Sequence, residues 1–141
     1  MKMRLKIHTS FVSPITLQTF LDRDILPIFI IRSIGGSDVI GKYEGTAIHK
    51  PILSPSPTLY REKRDGKIEI AEFERRYAIE MSTVDLQAVL KDIEYLASLA
   101  NTDQVVLLGY GADDSKCHRS VLARILDASG LLEHKVTELI L

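Results

Sequence analysis

In "RLKIHTS" the apolar Leu5 and Ile7 alternate with Lys6 and His8, the period of two that marks a half-buried strand. The pattern changes in "PITLQTFLDRD". Pro14 suits a helix start there, and Ile15, Leu17, Phe20 and Leu21 can share a packed face, so a short helix is predicted. "LPIFIIRSI" is continuously apolar, as a strand covered on both faces is, and is expected to end at Arg32. From "GGSDVIGKYEG" to "PILSPSP" the chain is rich in Gly, Pro and Ser and has no period, which predicts a long loop. Loops of that length inside one domain are usually functional or mobile.

"SPTLYREKRDG" reads as a helix. Ser56 can cap it, Pro57 fits its first turn, and Gly66 can stop it in the left-handed conformation. A second helix follows from Ile70, Phe73, Tyr77 and Met81, which recur every three or four residues. The clearest amphipathic pattern is "STVDLQAVLKDIEYLASLAN", where Leu86, Val89, Leu90, Ile93, Leu96, Ala97 and Ala100 make one face. Ser82 or Thr83 is expected to cap that helix and Asn101 to stop it. "QVVLLGY" is the next continuous apolar strand. Beyond it, "SKCHRSVLARILDASG" shows a helical face of Val121, Leu122, Ile125 and Leu126, ended by Gly130. "KVTELIL" closes the chain as a last strand.

Strands alternating with helices in this order predict an α/β fold: a single three-layer domain over 1–141, with a largely parallel central sheet of about four strands flanked by helices. The length of 141 residues is that of one domain. Apolar and charged fractions of 45% and 26% are ordinary for a globular chain, and no apolar run approaches the roughly 18 residues of a membrane span. The basic start "MKMRLKIHTS" lacks an apolar signal core, and one cysteine cannot form an internal disulfide, so a cytoplasmic location is expected. The 18 Lys and Arg are scattered among 19 Asp and Glu, for a net charge of −1. That balance disfavours a nucleic-acid partner, which needs many phosphates neutralised by a basic stripe. No oligomeric state follows.

Ligands of open α/β sheets bind beyond the carboxyl ends of the strands. After the first strand that rule selects His8, Thr9 and Ser10; after the second, Arg32 and Ser33; after the third, "GYGADDSKCHRS". Cys117, His118, Arg119 and Ser120 would open a helix, where unpaired N–H groups and the dipole attract anions. A cysteine there can have a depressed pKa, although a free cysteine is more commonly a small buried hydrophobe. A charged residue ending a buried strand, as Arg32 does, needs a local carboxylate or a ligand anion. The spacing of Cys117 and Arg124 does not fit a phosphatase loop. Asp113 and Asp114 are adjacent, so their side chains diverge and a helix cap is the simpler role than a metal site. "IGGSDVIG" lacks the strand-to-helix context of a phosphate fingerprint. No metal and no cofactor is expected. His49 and His134 read as surface or interface residues, Tyr77 and Tyr110 as core-edge or stacking residues, and Glu74, Arg75 and Arg76 as a solvated helix face.

"VVLLGYGADDSKCHRSVLARIL" resembles the most recognisable segment of the family called domain of unknown function 488: a buried strand, an acidic loop, then Cys-His-Arg opening a helix. "IIRS" is similar to that family's strand-end arginine, and "SPTLYREKRDGKIEIAEFERRY" to its helix pair leading to a tyrosine. Gly109 and Gly111 stand where members often carry a second cysteine and a glutamate. The resemblance implies an α/β fold and a site around Arg32, Cys117, His118 and Arg119, and no particular reaction.

The leading expectation is a binder of a phosphorylated or other anionic small molecule, nucleotide-derived ones included, at the strand ends. Arg32, Arg119, Ser120 and Thr9 would hold the ligand. Any chemistry would fall to Cys117 as nucleophile or His118 as acid or base. The alternative is a non-enzymatic protein-interaction domain with structural arginines and an exposed apolar patch near Ile48, Ile52 and Leu53.

Overall fold

Along the two continuous apolar strands, Ile28, Ile30, Val105 and Leu107 pack into one buried cluster, and Phe29, Ile31, Val106 and Leu108 into another. Successive side chains of a strand point to opposite faces, so two separate cores mean a sheet covered on both sides. The computed structural model describes residues 2–11, 14–31, 48–109 and 118–139, and the backbone alone at 14–17.

Within those residues the strands are β1 (Lys6–Phe11), β2 (Leu26–Phe29), β3 (Ile48–His49), β4 (Gln104–Gly109) and β5 (Thr137–Glu138). The helices are α1 (Pro14–Asp22), α2 (Pro57–Arg64), α3 (Ile70–Ser82), α4 (Leu86–Leu99) and α5 (His118–Ser129). All five strands form one sheet in the order β3-β2-β4-β1-β5, and every pairing is parallel. Phe20 and Leu21 of α1 belong to one core; residues of α3, α4 and α5 belong to the other. The result is the expected three-layer α/β domain. No helix among the described residues is long and apolar enough to cross a membrane.

Where the predicted loop is described, it contains β3, a two-residue edge strand paired as Ile28↔Ile48 and Phe29↔His49, and then a 3-10 turn at Pro51–Leu53. A strand of two residues has no period to detect. β2 closes at Phe29, short of Arg32, with its last ladder bonds running from Ile30 N to Leu108 O and from Lys50 N to Phe29 O.

Helix ends follow the side chains. Ser56 accepts from Leu59 N at 3.2 Å and donates its hydroxyl to Glu80 of α3, which also takes Ser56 N at 2.8 Å. Gly66 beyond α2, at φ +69, and Gly130 beyond α5, at φ +74, adopt the left-handed conformation that glycine allows at a helix end. Asn101 does the same beyond α4 at φ +58. The cap of α4 is Asp85, which accepts from Ala88 N at 3.1 Å; it is neither Ser82 nor Thr83. α3 runs on through Ser82, so the hydroxyls of Ser82 and Thr83 donate back to Ile79 O and Glu80 O and serve the end of the preceding helix.

Candidate functional site

β1 and β4 are neighbours in the sheet, yet β1 leads into α1 on one face and β4 into α5 on the other. Adjacent strands whose connections leave on opposite faces make a topological switch point, and the crevice of such a sheet lies beyond the carboxyl ends of those strands. Thr9 and Ser10 stand at the end of β1, and His118, Arg119 and Ser120 form the first turn of α5.

The parallel register of β1 and β5 sets Thr9 beside Glu138. Even positions of β1 face α1 and odd positions face α5, so Thr9 shares its side with Arg119. Arg119 is completely buried, and its Nε–H is shared between Glu138 Oε1 at 3.1 Å and Oε2 at 3.2 Å. The Thr9 hydroxyl donates to Glu138 Oε1 at 2.5 Å. A buried guanidinium needs such a partner, because an uncompensated charge in that place is costly. Two contacts to Leu139 fasten the same edge. Leu139 N donates to Thr9 O at 2.8 Å, and the Ser10 hydroxyl donates to Leu139 O at 3.0 Å.

His118 is 7% exposed and donates from Nε2 to Ile30 O, at the end of β2, at 2.5 Å. A carbonyl only accepts, so Nε2 carries the hydrogen of this contact. The Tyr77 ring meets it edge-on, with centroids 5.4 Å apart and planes at 77°. Tyr77 is fully buried in the core, and its hydroxyl donates to Leu53 O at 2.6 Å. It therefore ties α3 to the segment after β3 and backs His118.

Of the residues singled out in the sequence, the structure joins Thr9 and Arg119 through Glu138, while His118 in the same helical turn bonds to the end of β2 and Ser120 is half-buried. Arg32 and Cys117 lie outside the described residues, as do Tyr110, Asp113 and Asp114. Sequence reading missed Glu138. Its only signal is an acidic residue between Thr137 and the apolar Leu139 and Ile140, and no local rule pairs it with Arg119, nineteen positions away. His49 is half-buried and donates from Nε2 to Ile31 O at 2.5 Å, on the edge strand. On the outer helices Glu74 pairs with Arg124 at 3.1 Å, Arg76 with Glu62, and Arg75 with Glu72. The Arg75 hydrogen bond holds the Glu72 carboxyl below its ordinary value. These pairs are surface contacts.

An all-parallel three-layer domain with a buried arginine at its switch point is the class that fold and site define. Within that class the chain belongs to the DUF488 family: residues 26–130 match the family model described as the active DUF488-N3 subclade. The matched span runs from β2 to Gly130 and takes in Cys117, His118 and Arg119. No curated protein and no solved structure matches the chain.

Proposed function

We propose that the protein is a cytoplasmic binder of a phosphorylated or otherwise anionic small molecule, held beyond the carboxyl ends of β1 and β4. The observation that carries this reading is Arg119, a fully buried guanidinium in the first turn of α5 beside the switch point. A guanidinium offers five donors in a planar fork, and the first-turn N–H groups of a 12-residue helix favour an anion in the same place. Arg32, at the end of the apolar run that contains β2, would add a second cation, and Ser120 a hydroxyl. The balanced charge argues against a nucleic-acid partner.

Catalysis on the bound ligand would use Cys117 as nucleophile or His118 as acid or base; the description of the matched subclade as active supports asking for it. A second reading, an interaction domain with structural arginines, is favoured by the Arg119 to Glu138 pair. Its apolar patch is reduced to Ile52, which is exposed, because Leu53 is buried and Ile48 half-buried.

The test is a thermal-shift screen against inorganic phosphate, sugar phosphates and nucleotides. A ligand at a hundred times its Kd adds about 2.7 kcal/mol, which raises Tm by on the order of ten degrees in a domain of this size. Arg32→Ala and Arg119→Lys, each compared with its own unliganded Tm, are expected to lose most of that shift. A screen in which no anion moves Tm would sink the reading and leave the interaction domain.

A further inference from the structure

At the amino end of β1, away from the strand-end crevice, an open cavity of about 540 Å³ is lined by the segment Lys2–Arg4 and by one face of α4. That volume lies within the range of small-molecule sites. Gln87, Lys91 and Glu94 follow one another on α4 at intervals of four and three residues, so they share a face of the helix and form one wall. Lys2 and Arg4 belong to the other. Their segment is fastened to the chain beyond α5, with Met3 N donating to Leu131 O at 2.8 Å and Glu133 N donating to Met3 O at 2.9 Å. Met3 and Leu131 complete the lining, and both pack against the larger core.

Charge sets this cavity apart. Lys50, Arg64, Arg75, Arg76 and Arg124 each have a carboxylate beside them. For Lys2, Arg4 and Lys91 no ion pair is formed among the described residues, not even with Glu94 on the same wall. Three cations against one carboxylate leave a surplus of two positive charges at the cavity, in a chain whose net charge is −1. A concave surface with one sign of charge in excess concentrates ions of the other sign.

The two kinds of lining ask for two parts in a ligand. The cations take an anionic head of about two charges, and the Arg4 guanidinium offers the planar donor fork that suits a phosphate. Met3, Leu131 and the aliphatic stems of the lysines take an apolar body. A phosphate monoester carries about 1.5 to 2 negative charges near neutral pH, and its organic group supplies that body. Free phosphate leaves the apolar lining unused.

We propose that this cavity is a second small-molecule site, which binds a phosphate monoester of an apolar group, with Lys2, Arg4 and Lys91 holding the phosphate and Met3 and Leu131 the organic group. It does not rest on the strand-end site, and either can fail alone.

Phenyl phosphate is the probe, with inorganic phosphate and benzyl alcohol standing for its two parts. Methyl-labelled methionine gives a readout confined to the site. The Met3 methyl resonance is expected to move on adding phenyl phosphate, while that of Met81, buried in the core on α3, stays in place. Followed on that signal, phenyl phosphate is expected to bind at least about tenfold more tightly than either part alone. Lys91→Glu, at an exposed position, cancels the charge surplus and is expected to weaken binding at least about tenfold. Lys67→Glu makes the same charge change at an exposed position between α2 and α3, and its affinity is expected to stay within about twofold of wild type. An unmoved Met3 methyl, an affinity matched by inorganic phosphate or benzyl alcohol, or equal losses in Lys91→Glu and Lys67→Glu each overturns the proposal. If phenyl phosphate raises Tm yet leaves the Met3 methyl in place, it is bound elsewhere, and the strand-end reading stands without this one.

Discussion

Arg119 carries its charge to a place that water does not reach, and it is held there with Glu138 beside it. Removing one partner of a buried pair typically costs 3–5 kcal/mol; replacing both by apolar groups is often neutral. Glu138 is a quarter exposed, so the lower end of that range applies. Glu138→Ala is expected to lose about 3 kcal/mol in urea unfolding, and Arg119→Met/Glu138→Leu to recover most of it. A double variant no more stable than Glu138→Ala would show that the cost lies elsewhere. His118 is a different case at the same scale. Its place among catalytic candidates came from its neighbours in the chain, and its observed partners, Ile30 O and the Tyr77 ring, are ones that sequence could not supply.

Elements were largely legible, because their signals are local. Ser56 with Pro57 and Gly66 bounds α2, Phe73, Tyr77 and Met81 give α3 its buried stripe, and Gly130 ends α5. The miss at the start of α4 has a physical reason. Ser82, Thr83 and Asp85 are all good caps, and the choice among them depends on how far α3 continues. Asp85→Ala is accordingly expected to cost about 1 kcal/mol of unfolding free energy, with Ser82→Ala within a few tenths. A larger loss at Ser82 in chemical denaturation would return the capping role to it. β3 was invisible for another reason: two residues, Ile48 and His49, become a strand only because β2 lies beside them.

Across the whole molecule, stability is graded from the middle of the sheet outward. β4 lies between β1 and β2 and is buried from Val105 to Gly109, whereas β3 and β5 are two-residue edges. Hydrogen exchange is therefore expected to be slowest at the amides of Val106 and Leu107 and markedly faster at the β3 and β5 edges, with β5 close to the candidate site. Exchange at Glu138 as slow as at Leu107 would mean that the Thr9, Arg119 and Leu139 contacts lock that edge more firmly than two residues of ladder can.

Periodicity and turn chemistry by themselves determined the order of the described strands and helices apart from β3, and the α/β class, because each rests on residues a few positions apart. Only the tertiary structure decided the strand order, the opposite departures of α1 and α5 from β1 and β4, and the joining of Thr9, Arg119 and Glu138. Those depend on contacts across most of the chain. Glu138 lies 129 positions from Thr9, and no local pattern records which distant carboxylate will meet a buried arginine.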